Sequence, residues 1–204
     1  MLRVTLTALS LLLINGCSTH TFTQDEQVSI DDNVYAGEVL RKQALPVYPQ
    51  DNETQKLINL LIVKANTGTN AVGLAAPQLG INKAAFVYRV PNIIDGKPHF
   101  PELWEVALNP SYTPISAETT PMAEGCFSVP HFYSKAVPRY QKIHFRYQNV
   151  DGQWQEEVVD GYKAQILQHE TDHLNGILYI DKIDNKGDLS TIKELTDGLD
   201  KPKD

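Results

Sequence analysis

Cysteine is scarce in this chain: Cys17 and Cys126 are the two it has among 204 residues. Disulfide staples are therefore not the source of stability, and a chain of this length can bury a sizeable core without them. Basic residues are outnumbered. Eighteen Lys and Arg face 25 Asp and Glu, a formal net charge of −7. That balance argues against nucleic-acid binding, which wants a basic patch on phosphate, and it reads as ordinary solubility. Methionine is nearly missing: beyond Met1 there is Met122, too late to start an intact domain. The apolar run from Leu9 to Ile14, broken at Ser10, is too short for a transmembrane span. No internal repeat or low-complexity block is present. What remains is a chain 42% apolar and 21% charged, an ordinary composition for a globular domain, and about 150 to 170 of its residues suffice for one domain.

Against that plain background two short segments stand out. One reads Gln168-His169-Glu170-Thr171-Asp172-His173 and the other Glu124-Gly125-Cys126-Phe127-Ser128. On a helix, residues four apart share a face, so His169 and His173 can reach one ion. Glu170, beside the first His, is placed to handle the proton of a water activated by that ion. Cys126 can add a thiolate as third ligand and leave a fourth position open, which distinguishes catalytic from structural sites. Two imidazoles and a thiolate suit zinc, iron(II), cobalt(II) or nickel(II) alike. The thiolate is also a liability, since oxygen can damage both the metal and the sulfur. An exposed polar helix with two satisfied histidines is the bland alternative. The apolar neighbours Ile166, Leu167 and Leu174 speak for a buried helix instead.

A third segment lies upstream: Ala71-Val72-Gly73-Leu74-Ala75-Ala76-Pro77-Gln78. The three, in this order, resemble the motifs of the peptide deformylase family, a GxGLAAxQ-type loop, EGCLS and HExDH. The resemblance extends from about Val39-Leu40-Arg41-Lys42 through Leu108-Asn109-Pro110 and Val137-Pro138-Arg139 to Ile183. Two positions depart from the pattern. Ala71 replaces the first loop glycine, which is tolerable where φ is negative. Phe127 replaces a leucine, and would contribute its backbone N–H whatever the side chain, although a larger ring can reshape the substrate mouth.

The resemblance implies a metal-dependent hydrolase that removes the formyl group from N-terminal formylmethionine. It implies iron(II), one ion per chain, with zinc a less active substitute; nickel(II) and cobalt(II) remain compatible. Cys126, His169 and His173 would be ligands and Glu170 the acid/base. The Gln78 amide and the Phe127 N–H would stabilise the tetrahedral oxygen. Gly73 would bind the substrate backbone, and Val72, Tyr162 and Ile166 would line the methionine pocket. Asp172 could accept from a ligand imidazole or pair with Arg139. His20, His99, His131 and His144 have no partner pattern. The implied partners are N-formylmethionyl peptides or proteins, met by the family as nascent chains in the cytosol, with a monomer expected. Two alternatives stay open. An HExxH peptidase cutting internal peptide bonds would need a third His or Glu after the helix. A non-catalytic formyl-peptide-binding module would fit had Glu170 or a ligand been lost.

The N-terminus points elsewhere. Met1-Leu2-Arg3, the Leu9–Ile14 run and Asn15-Gly16-Cys17 look like a bacterial lipoprotein signal. The expectation is a signal peptide over 1–16, lipid on Cys17, a polar linker over 17–33, a catalytic domain over 34–184 and a charged tail over 185–204 that could hold a loose helix. Placement as a membrane-anchored lipoprotein follows, with the cytoplasm as the alternative.

Periodicity predicts a helix over 53–66, capped by Asn52, with a stripe at Leu57, Leu60, Leu61 and Lys64. Residues 73–80 read as a loop. Strands are expected over 84–90 and 104–108. Over 141–148 Ile143, Phe145 and Tyr147 alternate with Lys142, His144 and Arg146, and a partner strand follows over 153–159. A helix over 161–175 ends at Gly176, and a last strand covers 177–183. Antiparallel strands plus a long helix give an α+β fold; the resemblance adds sheets wrapped around a central helix bearing HExxH.

Overall fold

Strand β2 (Ala85–Tyr88) explains why the centre of this molecule carries no clean alternation. Its four residues are all fully buried. Successive side chains of a strand point to opposite faces, so a strand covered on both faces has no polar side. Phe86 and Tyr88 pack with Ala164, Ile166 and Leu167, while Ala85 and Val87 pack with Leu57, Ile58 and Leu61. The structure, a computed structural model, describes residues 37–68, 70–184 and 188–191.

The two helical partners are α1 (Asn52–Ala65) and α2 (Gly161–Leu174). Between them runs a five-stranded antiparallel sheet in the order β1 (Gly73–Ala75), β2, β5 (Glu105–Pro114), β8 (Lys142–Gln148) and β9 (Trp154–Asp160). A small hairpin, β3 (Asn92–Ile94) with β4 (Lys97–His99), stands apart. A second sheet places β7 (Val129–Tyr140) between β10 (Leu189–Thr191) and β6 (Thr119–Cys126). The expected α+β architecture, antiparallel sheets around a helix carrying the His motif, is the one observed.

Local expectations fared unevenly. The stripe on α1 is Thr54, Leu57, Ile58, Leu61 and Ala65, a 3.6-residue period, with Leu60 half-buried at its edge. Asp51 rather than Asn52 occupies the N-cap, and its side chain makes no capping bond. The β8–β9 hairpin matches the alternation: Ile143 and Phe145 are buried, and His144 and Arg146 face Glu156 outside. The predicted loop over 73–80 is β1 followed by a 3₁₀ turn, Ala76–Leu79, closed by Gly80 at φ 75°. The strand predicted over 177–183 is instead a 3₁₀ turn, Tyr179–Asp181. Asp181 Oδ2 accepts the Leu178 N–H at 2.8 Å, a local bond that competes with a ladder. Leu178, Tyr179 and Ile183 still bury their side chains, against Val129 and Val137. β6 and β7 were not foreseen: Pro121, Pro130 and Pro138 sit inside them, and proline argues against a strand. In the tail, Leu189–Thr191 pairs with β7; the loose helix expected beyond it lies outside the described residues.

Candidate metal and catalytic centre

Helix α2 is buried almost all round, although many of its residues are polar: Gln165, Gln168, Glu170, Thr171, Asp172 and His173 are each under 10% exposed. A buried polar group is costly unless paired, so each needs a partner. Gln168 supplies an anchor. Its Oε1 accepts the Tyr140 N–H at 3.0 Å and its Nε2 donates to the Tyr140 carbonyl at 2.8 Å, tying the helix to the end of β7. Gln165 Nε2 donates to the Ala123 carbonyl at 2.9 Å. Arg139, 1% exposed, takes both oxygens of Glu124, at 2.7 and 2.9 Å, and also bonds Asp172. Asp172 further accepts from Tyr112 at 3.2 Å and faces Lys182 at 3.3 Å. Of the two roles expected for Asp172, pairing with Arg139 is the one seen. Glu124, in turn, accepts from His169 Nδ1 at 2.9 Å. That bond fixes the ring and leaves Nε2 free for an ion.

The thiolate arrives from the other side. Cys126 pairs with Val129 across a two-residue turn made by Phe127 and Ser128, and the β6–β7 register shifts just before it. Such bulges re-aim side chains. Cys126 Sγ lies 3.3 Å from His173 Nε2, and accepts from the Ser128 N–H at 3.4 Å and from Gln78 Nε2 at 3.5 Å. The ligand atoms of Cys126, His169 and His173 all lie within 4.8 Å of one another. Burial would raise the Cys126 thiol, but His173 and His169 hold it well below its ordinary value. Burial would likewise lower His169, and Cys126 and Glu124 raise it. Two imidazoles and one thiolate at this spacing, with one imidazole oriented from behind, fit a borderline divalent cation.

Glu170 is adjacent to this cluster and 4% exposed. Burial pushes its carboxyl up to about 7, against the pull of His169 and His173. Its Oε2 has no hydrogen-bond partner among the described residues. Across from it sits Gly73, where an added Cβ would lie 2.2 Å from Glu170 Oε1. Room for the carboxylate is thus a reason for this glycine that the sequence did not reveal. Ala71, at the position of the missing loop glycine, is not among the residues of positive φ; Asn70 before it is, at 59°. The substitution therefore costs no backbone strain there.

A cavity of about 630 Å³ opens over the cluster. Cys126, His169 and Glu170 line it with Gly73 and Gln78, and so do Val72, Phe127, Tyr162 and Ile166. Every expected site residue of the domain is therefore gathered here except His173, which lies behind at 1% exposure. Ile166 serves the core as well. Gln78 is oriented by its own turn: Oε1 accepts the Ala75 N–H at 2.8 Å, and Nε2 donates to Ser128 Oγ at 3.1 Å. Sequence reasoning paired Arg139 with Asp172 but missed its hold on Glu124, and it missed the parts played by Glu124 and Ser128, although both stand in a segment it had singled out.

The comparison with known proteins decides the family. A model of the polypeptide deformylase family matches residues 31–188. The chain belongs to the polypeptide deformylase family. A peptide deformylase of Thermotoga petrophila is 40% identical over 165 residues, 80% of this chain and 93% of that protein. Among solved structures, the class I type b peptide deformylase of Acinetobacter baumannii with Met-Ala-Ser bound is similar, with TM-score 0.64 and 33% identity over 72% of this chain and 94% of that one. The Synechococcus elongatus peptide deformylase in complex with actinonin has TM-score 0.64 and 30% identity over 80% of this chain and 82% of that one. As a deformylase-family enzyme, the chain is a metal-dependent hydrolase acting on N-terminal formyl groups.

These findings correct one expectation. The membrane-anchored lipoprotein read from residues 1–17 is overturned by the company the chain keeps: its relatives are peptide deformylases, that of Thermotoga petrophila matched over 93% of its length, a family that serves nascent chains in the cytosol. Among the described residues no helix is long and apolar enough to cross a membrane. Cys17 and the rest of 1–36 lie outside the described residues.

Proposed function

We propose that Cys126, His169 and His173 hold one divalent ion per chain, iron(II) in the working enzyme, with zinc, nickel or cobalt as substitutes. The observation that carries this reading is the gathering of one thiolate and two imidazoles within 4.8 Å, with Cys126 and His169 on the wall of a cavity of about 630 Å³ and His173 just behind it. Bound there, the ion supplies a Lewis acid that activates water and polarises the formyl carbonyl. The remaining chemistry belongs to the side chains. Glu170 takes the proton of the attacking water and returns it to the departing amine. A carboxyl held near 7 is suited to both halves of that transfer near neutral pH. The Gln78 amide and the Phe127 N–H donate to the oxygen on which charge develops. Gly73 admits the substrate backbone as well as the Glu170 carboxylate, and Val72, Tyr162 and Ile166 receive the methionine side chain. The family match over 31–188 supports a catalytic domain over 34–184.

The substrate is an N-formylmethionyl peptide or protein, in keeping with the Acinetobacter baumannii relative solved with Met-Ala-Ser. The test is release of formate from formyl-Met-Ala-Ser by protein purified without oxygen and loaded in turn with iron(II) and zinc. Formate release, faster with iron(II), is expected, with no cutting of casein. Casein cleavage without formate release would favour an internal peptidase, and bound metal with neither activity would leave a binding module.

A further inference from the structure

The rim wall formed by Ala71 and Val72 is held from outside by a residue with no part in the chemistry. Arg89 follows β2, and its backbone N–H donates to the Val72 carbonyl at 2.9 Å. Its side-chain Nε donates to the preceding carbonyl, that of Ala71, also at 2.9 Å. One residue thus holds two successive carbonyls of the segment that leads into β1, itself an edge strand. The guanidinium lies against two aromatic rings, 4.9 Å from the centroid of Phe100 and 4.4 Å from that of Trp104. Such stacking favours the flat arginine fork over a lysine. Trp104 extends the staple, because its Nε1 donates to Asn66 Oδ1 at 2.9 Å, just beyond the end of α1. On the cavity side the Phe127 ring packs close, with its Cζ 3.2 Å from where a Cβ on Gly68 would sit.

We propose that Arg89, stacked on Phe100 and Trp104, is a positioning residue that sets the Ala71–Val72 wall and so the fit of the substrate's first side chain. The proposal rests on the assignment of Val72 to the methionine pocket. Apolar pockets discriminate by fit, roughly 10- to 200-fold per methylene gained or lost. A wall that keeps the backbone bond at Val72 but loses the side-chain anchor at the Ala71 carbonyl gives up part of that discrimination. The reacting groups on α2 and the β6–β7 turn do not touch Arg89, so the chemical step is spared.

The experiment compares wild type with Arg89→Gln, Arg89→Lys and Phe100→Leu, the last removing one stacking face while leaving the Arg89 side chain in place. Calorimetry gives the Kd for Met-Ala-Ser and Ala-Ala-Ser, and formate release gives KM and kcat for the two formylated peptides. Expected is about a tenfold rise in Kd and KM for the methionine peptides, kcat within about twofold, and a matching loss of preference over alanine. Arg89→Lys should fail to rescue, and Phe100→Leu should show a smaller change of the same kind. Unchanged preference, or an equal loss on both peptides, would overturn the proposal. Because binding is read separately, a wild type that binds Met-Ala-Ser but releases no formate would refute the deformylase assignment and still leave the role of Arg89 decided.

Discussion

Two hairpins of this enzyme, one in each of the larger sheets, follow different rules. In the five-stranded sheet, β8 and β9 stay in register over seven consecutive pairs, Lys142 with Asp160 through Gln148 with Trp154. In the three-stranded sheet, β6 and β7 shift register twice, between Met122 and Glu124 and again between Gly125 and Cys126. The regular hairpin provides a flat apolar bed for α2 through Ile143, Phe145 and Val159. The irregular one delivers a thiolate to a helix it does not belong to. An even ladder repeats one side-chain direction every second residue, whereas a bulge places a single side chain where no repeat would. The thiolate sits where the β6–β7 ladder is broken, and the bed for α2 where the β8–β9 ladder is not.

Substitutions can break or sharpen that contrast. The largest effect is expected at Glu170, on the helix between the two sheets. Glu170→Gln should retain the metal by elemental analysis yet lose about 10²- to 10⁴-fold in formate release. Arg139→Met should act on stability rather than rate, because it strands two buried carboxylates, Glu124 and Asp172. Urea denaturation should show a loss of about 3–5 kcal/mol. Gly73→Ala pushes a methyl onto the Glu170 carboxylate; a displacement of that order costs about 100-fold in kcat, with metal content unchanged.

Acid provides a gentler probe of the irregular sheet. Burial would raise Glu124, but Arg139 and His169 hold it at about 2, below its ordinary 4.5. A depressed carboxylate contributes stability that is fully present above 4.5 and is lost as pH falls towards 2. Melting of the metal-free protein should therefore fall across that window, and the fall should begin at higher pH in Arg139→Met. The smallest effect belongs to the regular hairpin. Glu156, 54% exposed, meets Arg146 at 3.0 Å in solvent, and Glu156→Gln should change stability by less than about 1 kcal/mol. A large loss there would contradict the view of β8–β9 as a tolerant bed.

The same contrast governs what could be read from the chain. Ile143, Phe145 and Tyr147 announce their strand because one face is wet and the other dry. Ala85 to Tyr88 are dry on both faces and announce apolarity alone. β6 and β7 announce nothing, since their prolines and shifts erase the period. The ligands were nonetheless legible, because His169 and His173 are four apart on a helix and Cys126 stands in a recognisable motif. The supports were not. Gln168 reaches Tyr140 and His169 reaches Glu124 across 28 and 45 residues of chain, and a spacing rule on one helix cannot see that far. The turn at Tyr179–Asp181 was misread for a related reason: one Asp181 side chain, bonding three residues back, outweighed an apolar run.

His169, Glu170 and His173 ride on one rod, and the thiolate is carried by the tip of a hairpin. Any slide of α2 as a body preserves the distances among the first three and is felt instead where the helix meets its surroundings, among them the 3.3 Å between Cys126 Sγ and His173 Nε2 and the 2.9 Å between His169 Nδ1 and Glu124 Oε2. The site is therefore a vice whose two jaws belong to different elements, and only their docking brings the thiolate and both imidazoles within reach of one ion.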